Sequence, residues 1–287
     1  MSHFVEANVN SIAEKCLTAD FSKLEQYVEN NFGQGYGLDF CFDDQKRTLL
    51  HILAGNLQFE YWDLILRCFV YVNSPDISQQ TPLHIAVSKK NLKAMKALIS
   101  AGASLTTEDE HGINPIQLAC IHNFKEGLKL LLETSNGKNF LSSNFIGTAY
   151  LCIENNAIDS FNYVIRSIPE KNLNELNDEG NGLIHYAAQN KSKKFLKSLL
   201  DLKGVNLDLT NKQGLTPIEC ASKEKSAALL YAKGANISKF VGEKRLTILE
   251  PILNDANNNW QSTGECFAPC EIHRSEERRV GKECRSR

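Results

Sequence analysis

The sequence predicts an all-α fold, a solenoid of repeated helix–turn–helix units, on three observations. A heptapeptide, seen most clearly as TPLHIAV at residues 81–87, recurs along the chain, and successive copies begin 33 or 34 residues apart. An amphipathic segment follows the clearest copy. Self-similarity at such a period is typical of proteins that stack one supersecondary unit many times. The copies are TLLHILA at 48, TPLHIAV at 81, NPIQLAC at 114, TAYLCIE at 148, GLIHYAA at 182 and TPIECAS at 216.

The residue types of the heptapeptide suit the start of a short helix. Thr81 stands where an N-cap side chain accepts a hydrogen bond from a free backbone N–H, and Pro82 fits the first helical position. Ala86 is small, which lets neighbouring repeats stack closely. The second helix, LKAMKALI at 92–99, is followed by Gly102, a residue that suits the positive φ at a helix end.

A turn is predicted before each heptapeptide. Asp, Asn and Ser side chains bond nearby backbone N–H groups, and glycine accepts a positive φ, so both are typical of turns. Five residues before the Thr-equivalent position stand Asp43, Asp76, Asp109, Ser143, Asn177 and Asn211. Two residues before it, in three of the copies, stand Gly112, Gly180 and Gly214.

The combined pattern over roughly residues 43–237 resembles the ankyrin repeat. The resemblance implies helix–turn–helix units joined by β-hairpin-like fingers, with about six repeats over residues 43–240. The copy at 148 fits least well, since Tyr150 and Leu151 stand where Leu and His are usual. The last copy is shortened between its helices, as expected for a capping repeat that faces solvent.

Three segments flank this array. Residues 1–42 are interpreted as a degenerate N-terminal helical capping unit, and residues 241–273 as a C-terminal helix or linker. Residues 274–287, RSEERRVGKECRSR, resemble an in-frame translation of a short-read sequencing adapter and are interpreted as an artefact, which would leave the true C-terminus unknown. They contribute +3 to the formal net charge of −2, so residues 1–273 carry −5, which disfavours nucleic-acid binding.

Composition further narrows the class of protein. No export signal is visible, and no apolar run is long enough to span a bilayer. The nine cysteines are scattered and are expected to be reduced thiols. We therefore expect a cytoplasmic protein, with the nucleus possible, that has no contact with a membrane and is a monomer.

The chemistry-bearing residues favour structural roles. His51, His84 and His185 share one repeat position, which puts them too far apart for one metal ion. Cys266, Cys270 and His273 lack a further ligand pair, so loop thiols are the favoured interpretation there. No nucleotide-binding, zinc-protease or serine-hydrolase motif is present. The sequence predicts no enzyme, no metal and no cofactor.

The resemblance instead implies non-catalytic protein–protein recognition, as an adaptor or scaffold for a folded domain or an extended peptide. The alternative is the recognition region of a larger kinase, lipase, ADP-ribosyltransferase or ion channel. Ile121 and Phe145 are apolar where polar residues are usual, and either buried packing or a binding hot spot would explain them. The predicted partner-binding residues are Gln45, Arg47, Gln79, Gln80, Ser88, Lys89, Glu110, His111, Ile121, His122, Phe145, Asn155, Asn156, Glu179, Gln189, Asn190, Lys212 and Gln213.

Overall fold

The structure is a computed structural model that describes residues 24, 26, 43–66, 71–222 and 224–236. The chain divides into two compact units, residues 1–172 and 173–287. Within the described residues the regular structure is helical, and an isolated β-bridge pairs Leu176 with Gly182. The predicted all-α repeat fold is confirmed. The interpretations of residues 1–42, 241–273 and 274–287 lie outside the described residues, apart from Leu24 and Gln26.

The first unit contains pairs of helices in which the first member carries the heptapeptide. In chain order they are α1 (Leu49–Gly55) and α2 (Trp62–Ile65), α3 (Pro82–Ser88) and α4 (Leu92–Ser100), α5 (Pro115–Ile121) and α6 (Lys125–Glu133), then α7 (Ser135–Ser143) alone, and α8 (Phe145–Glu154) and α9 (Ile158–Arg166). The first helices stack in the order α1, α3, α5, α8, and the second helices α2, α4, α6 and α9 follow beside them.

The second unit repeats this arrangement. It contains α10 (Leu183–Gln189) with α11 (Lys193–Leu200) and α12 (Pro217–Cys220) with α13 (Glu224–Ala232), and α10 packs on α12 while α11 packs on α13. A 3₁₀ helix, Glu170–Asn174, lies at the boundary of the two units. Ala187 of α10 is fully buried, as are its counterparts Ala86 and Ala119 of the first unit. A methyl group at this position lets the helices approach closely, as the heptapeptide predicts.

Five-residue fingers precede first helices in both units: residues 43–47, 76–80, 109–113, 177–181 and 211–215. In each finger the side-chain Oδ1 of the first residue accepts N–H bonds from the third and fifth residues, at 2.8–3.1 Å. This confirms the predicted turn role of the aspartates and asparagines. Ser143 is the exception, because it ends α7 and no finger forms there.

Neighbouring fingers are also tied through their main chains. Ile77 donates its N–H to the Gln45 carbonyl at 2.8 Å, Glu110 to the Ser78 carbonyl at 3.0 Å, and Lys212 to the Glu179 carbonyl at 3.1 Å. Each finger is therefore held from within by a side-chain oxygen and from beside by a neighbouring finger.

Three histidines connect the first helix of one repeat to the finger of the next. In each, Nδ1 accepts the N–H of the helix N-cap residue at 3.0–3.1 Å, and Nε2 donates to the carbonyl of the last residue of the following finger at 3.0–3.2 Å. A neutral imidazole with its proton on Nε2 satisfies both bonds. The predicted structural role of these histidines is confirmed, in the sets Thr48–His51–Gln80, Thr81–His84–Ile113 and Gly182–His185–Leu215.

Other residues replace the histidine where this connection is not made. Gln117 accepts the Asn114 N–H at 3.0 Å, and Glu219 accepts the Thr216 N–H at 2.8 Å. Each therefore caps its own helix, as the histidine does. The segment that follows the repeat of Gln117 is α7 rather than a finger, so it presents no finger carbonyl.

The fourth repeat is offset by one residue from the sequence alignment, which is a correction to the predicted start at Thr148. The left-handed residues that follow α3, α5 and α8 are Lys90, Asn123 and Asn156, with φ of 55°, 47° and 55°. They lie 33 residues apart, so the fourth repeat begins at Gly147. Burial decides the register: Cys152, fully buried, takes the position of Ala86, and Tyr150, 37% exposed, takes that of His84.

Replacing a finger glycine by alanine is expected to lower the free energy of unfolding of the second unit. Gly180 and Gly214 have φ of +76° and +74°, which an alanine adopts only at a cost of about 1 kcal/mol. A Cβ on Gly180 would in addition lie 2.7 Å from the Lys212 nitrogen, whereas a Cβ on Gly214 meets nothing within 4 Å. In urea unfolding we expect Gly214→Ala to cost about 1 kcal/mol and Gly180→Ala at least about 2 kcal/mol. Equal losses would show that the approach of the next finger does not constrain Gly180.

Acid is expected to weaken the fold through the three histidines. Burial lowers the pKa of His51, His84 and His185 from the ordinary value of about 6.5. As the pH falls below about 6.5, the unfolded chain therefore binds protons that the folded chain excludes. The free energy of unfolding should be greatest above that pH and should decline as the pH approaches the lowered pKa values. Urea unfolding between about pH 7.5 and 5 measures this slope.

His84→Gln isolates one histidine, since glutamine keeps the cap bond, as Gln117 does. The slope should fall by up to about 1.4 kcal/mol per pH unit, the limit for one proton. The matched control, His111→Gln, makes the same replacement at an imidazole whose side chain is 76% exposed, and the slope of His84→Gln is compared with that of this control. A slope in His84→Gln equal to that of the parent chain would contradict this origin of the pH dependence.

Candidate partner-binding surface

The finger tips of the first unit carry exposed side chains on a fixed main chain. Gln45, Gln79, Glu110 and His111 are all exposed. Their backbones belong to the hydrogen-bonded fingers, whereas the side chains of Gln45 and Gln79 make no hydrogen bond in the described part of the chain. The Glu110 carboxylate lies 3.8 Å from Nε2 of His111. These side chains can meet a partner without any change in the fingers.

Two other predicted finger residues also hold the finger together. The Arg47 guanidinium bonds the Asp43 carboxylate at 2.7 Å, within the same finger, and is half-buried. Gln80 is half-buried as well, and its carbonyl accepts the bond from His51. Their assignment to a partner surface stays a prediction, but each residue also makes a hydrogen bond that stabilises the fold.

The ends of the first helices form a second group of predicted residues. Ser88, Lys89, His122, Asn155 and Asn156 are exposed there. Because α3, α5 and α8 pack against one another in sequence, their C-terminal ends form a row in the first unit.

His122 and Ile121 differ in how far each reaches solvent. Partial burial and the neighbouring Lys90 ammonium lower the pKa of His122, so its imidazole is neutral at neutral pH and offers both a donor and an acceptor. Ile121 is half-buried, so it combines packing within the unit with an apolar contact area that a partner can reach.

Phe145 is not a finger-tip residue, which corrects the sequence analysis. It begins α8, and only 1% of its surface is exposed. The reason is α7, which occupies the chain between α6 and α8 where a finger was expected. Of the two interpretations of Phe145, the structure supports buried packing, and the residue is not available at the surface.

The second unit presents a smaller set of predicted residues. Glu179, Gln189, Lys212 and Gln213 are exposed, and Asn190 is half-buried. Glu179 and Lys212 lie on adjacent fingers, and the Lys212 N–H donates to the Glu179 carbonyl at 3.1 Å. The Glu179 carboxylate also accepts a bond from the Asn181 amide at 3.1 Å.

Sequence reasoning missed a groove in the first unit. It has a volume of 710 Å³ and lies between the chain that follows α4 and one side of α7, where Asn136, Asn139 and Phe140 contribute to its lining. The segment at 143–146 reads SNFI and lacks both the aspartate and the glycine of a finger. Thr134, which accepts the Gly137 N–H at 3.0 Å, is an N-cap residue that could have indicated a helix.

The described residues contain no group of His, Cys, Asp and Glu arranged to hold a metal ion. Cys120 and Cys152 are free and buried, and a hydrogen bond that the Cys120 thiol donates to the neighbouring Cys152, together with burial, raises the pKa of the Cys120 thiol. A thiol with a raised pKa is a poor nucleophile. No helix in the described ranges has the length and apolar character needed to cross a membrane.

Comparison with known proteins agrees with the repeat geometry. The family model of ankyrin repeats matches residues 19–109, 50–144 and 149–240. The nuclear factor NF-kappa-B p105 subunit of Gallus gallus is 27% identical over 206 residues, which are 68% of this chain and 21% of that protein. The putative ankyrin repeat protein YahD of Escherichia coli is 27% identical over 175 residues, 58% of this chain and 86% of that protein.

A solved structure has the same fold. The ankyrin repeat domain of Bcl-3, described as a unique member of the IkappaB protein family, superposes with a TM-score of 0.60 at 17% identity, covering 77% of this chain and 97% of that one. The chain spans about a fifth of the length of the chicken p105 subunit. Because the family matches extend over more than half of the chain and the repeats carry the expected fingers and helix pairs, the chain belongs to the ankyrin-repeat family.

Proposed function

We propose that this chain recognises protein partners without catalysis, as an adaptor or scaffold. Ankyrin repeats generally serve as protein–protein interaction modules. The proposal rests on a contrast between main chain and side chains in the fingers of the first unit. The main chain of each finger is hydrogen-bonded internally and to a neighbouring finger. The side chains of Gln45 and Gln79 at the tips are exposed and make no hydrogen bond in the described part of the chain. Such a surface is preformed, so binding costs little ordering entropy.

The chemistry of the surface supports a polar protein partner. Neutral amides are exposed at Gln45, Gln79, Asn155 and Asn156, and the Glu110 carboxylate lies beside His111. Amides donate and accept hydrogen bonds at once, which suits the mixed edges of a polypeptide. The exposed Lys46, Lys89 and Lys90 are interspersed with the acids Asp44 and Glu110, so the surface carries charges of both signs rather than the basic patch typical of nucleic-acid binding.

We propose further that the chain works as a monomer in the cytoplasm. The support for this location is the set of nine scattered cysteines in the sequence, which is typical of proteins whose thiols are kept reduced.

Removing tip side chains is expected to weaken partner binding without unfolding the chain. The test variant is Gln79→Ala with Glu110→Ala, and the matched control is Ser100→Ala with Glu126→Ala, on α4 and α6. Each pair removes one acidic and one neutral polar side chain from exposed positions. A partner captured from extract by the parent chain is then titrated against each variant. We expect the test variant to lose at least about tenfold in affinity, or about 1.4 kcal/mol, and the control less than about twofold.

Circular dichroism and urea unfolding of both variants check that the fold is retained. An affinity of the test variant equal to that of the parent, or an equal loss in the control, would contradict the assignment of binding to the finger tips. A loss of affinity in the control variant alone, whose substitutions lie on α4 and α6, would also contradict this assignment.

A further inference from the structure

The groove beside α7 has the size of a ligand site. Its volume of 710 Å³ lies within the range of roughly 300–1,000 Å³ that is common for binding pockets. Apolar lining comes from Ile99, Leu105 and Phe140, of which Leu105 is buried and the other two are half-buried. The groove lies wholly within the first unit.

The position of α7 is fixed by close packing at its start. A Cβ on Gly137 would lie 2.1 Å from the Leu131 carbonyl oxygen of α6, so only glycine allows this approach. The Gly137 N–H is bonded to Thr134 Oγ1 at 3.0 Å, and Leu141 is buried one turn later. The wall of the groove is therefore a rigid helix, although a finger would stand there in an unbroken array.

Two amides on this helix have no hydrogen-bond partner among the described residues. Asn136 and Asn139 are exposed and line the groove, and their side chains make no hydrogen bond in the described part of the chain. They are three residues apart, which puts them on the same face of α7. Thr106 lines the groove from the other wall. Each amide can accept and donate at once.

Charge is absent from the lining. All thirteen lining residues belong to the described part of the chain, and none is acidic, basic or histidine. A charged ligand group placed here would lose water without gaining an opposite charge, which is costly. The groove therefore favours a neutral ligand that has its own donors and acceptors as well as an apolar part.

We propose that this groove binds an extended, uncharged segment of a polypeptide. The amides of Asn136 and Asn139 bond the main chain of the segment, and one of its apolar side chains packs against Phe140 and Leu105. A sugar shares the hydrogen-bond chemistry, but the aliphatic Ile99 and Leu105 suit a peptide side chain better. This inference rests on the proposed function, since the ligand is a protein segment, and it adds a second site to the finger tips.

The probe is a phage-displayed library of short random peptides, selected against the full chain. Peptides that bind are titrated against Asn136→Ala with Asn139→Ala and against a matched control on the same helix, Lys138→Ala with Ser142→Ala. Lys138 and Ser142 are exposed but do not line the groove. Alanine favours helix over asparagine, so the test variant should fold. We expect peptides poor in charged residues, a loss of at least about tenfold for the test variant and less than about twofold for the control.

Asn139→Asp provides a second variant of the same shape, which places a negative charge in the neutral lining. It should weaken the selected peptides by at least about tenfold as well. Selected peptides that bind both groove variants as tightly as the parent would overturn the proposal.

If those peptides lose affinity instead in Gln79→Ala with Glu110→Ala, the groove is excluded while recognition by the finger tips stands. If the selected peptides bind the groove variants and the finger-tip variant as tightly as the parent chain, and no partner is captured from extract, both proposals fail. Binding of a glycan array that depends on Asn136 and Asn139, with no peptide selected, would replace the polypeptide by a carbohydrate and overturn the assignment of the ligand.

Discussion

The structure depends on one hydrogen-bonding arrangement, the side-chain oxygen that opens each finger. Because Oδ1 of Asp76 takes the N–H groups of Ser78 and Gln80, the carbonyl of Gln80 is held toward the preceding repeat. His51 can then bond that carbonyl with Nε2 while Nδ1 caps its own helix. One carboxylate therefore positions a turn, a helix start and the contact between two repeats. These connections reach only neighbouring repeats, as is typical of such arrays.

The break in the pattern shows how the parts depend on one another. Where Gln117 replaces histidine, the following segment is α7, and no finger carbonyl is there to be bonded. The loss of the finger leaves the step between the third and fourth repeats at 33 residues, as between the first three, and buries Phe145. It also opens the groove lined by Asn136 and Asn139. A local change in turn chemistry thus removes one recognition element and creates a surface of different character.

Sequence patterns could predict what each repeat encodes within itself. Asp109 and Gly112 define a finger by their own spacing, and the position of His84 three residues after Thr81 suffices to assign a cap. The register of the fourth repeat could not be predicted, because it depends on how Ala149 and Cys152 are buried against α5. The groove could not be predicted from the sequence either. Its two walls come from segments about 30 residues apart in sequence, and these segments meet only in the folded unit. A surface-exposed tip, such as His111, is assigned by analogy with the repeat rather than by any contact of its own.

Lys46 and Gln79 occupy the finger position that glycine holds in the other fingers, and both adopt a left-handed φ, of 55° and 59°. A residue with a side chain is less stable there than glycine by about 1 kcal/mol. Glycine, however, would place no side chain at the tip of the finger. The first unit thus retains backbone strain at the two positions where it displays an additional amide and an additional ammonium group. Each of these two side chains is therefore displayed at a position where the backbone alone would favour glycine.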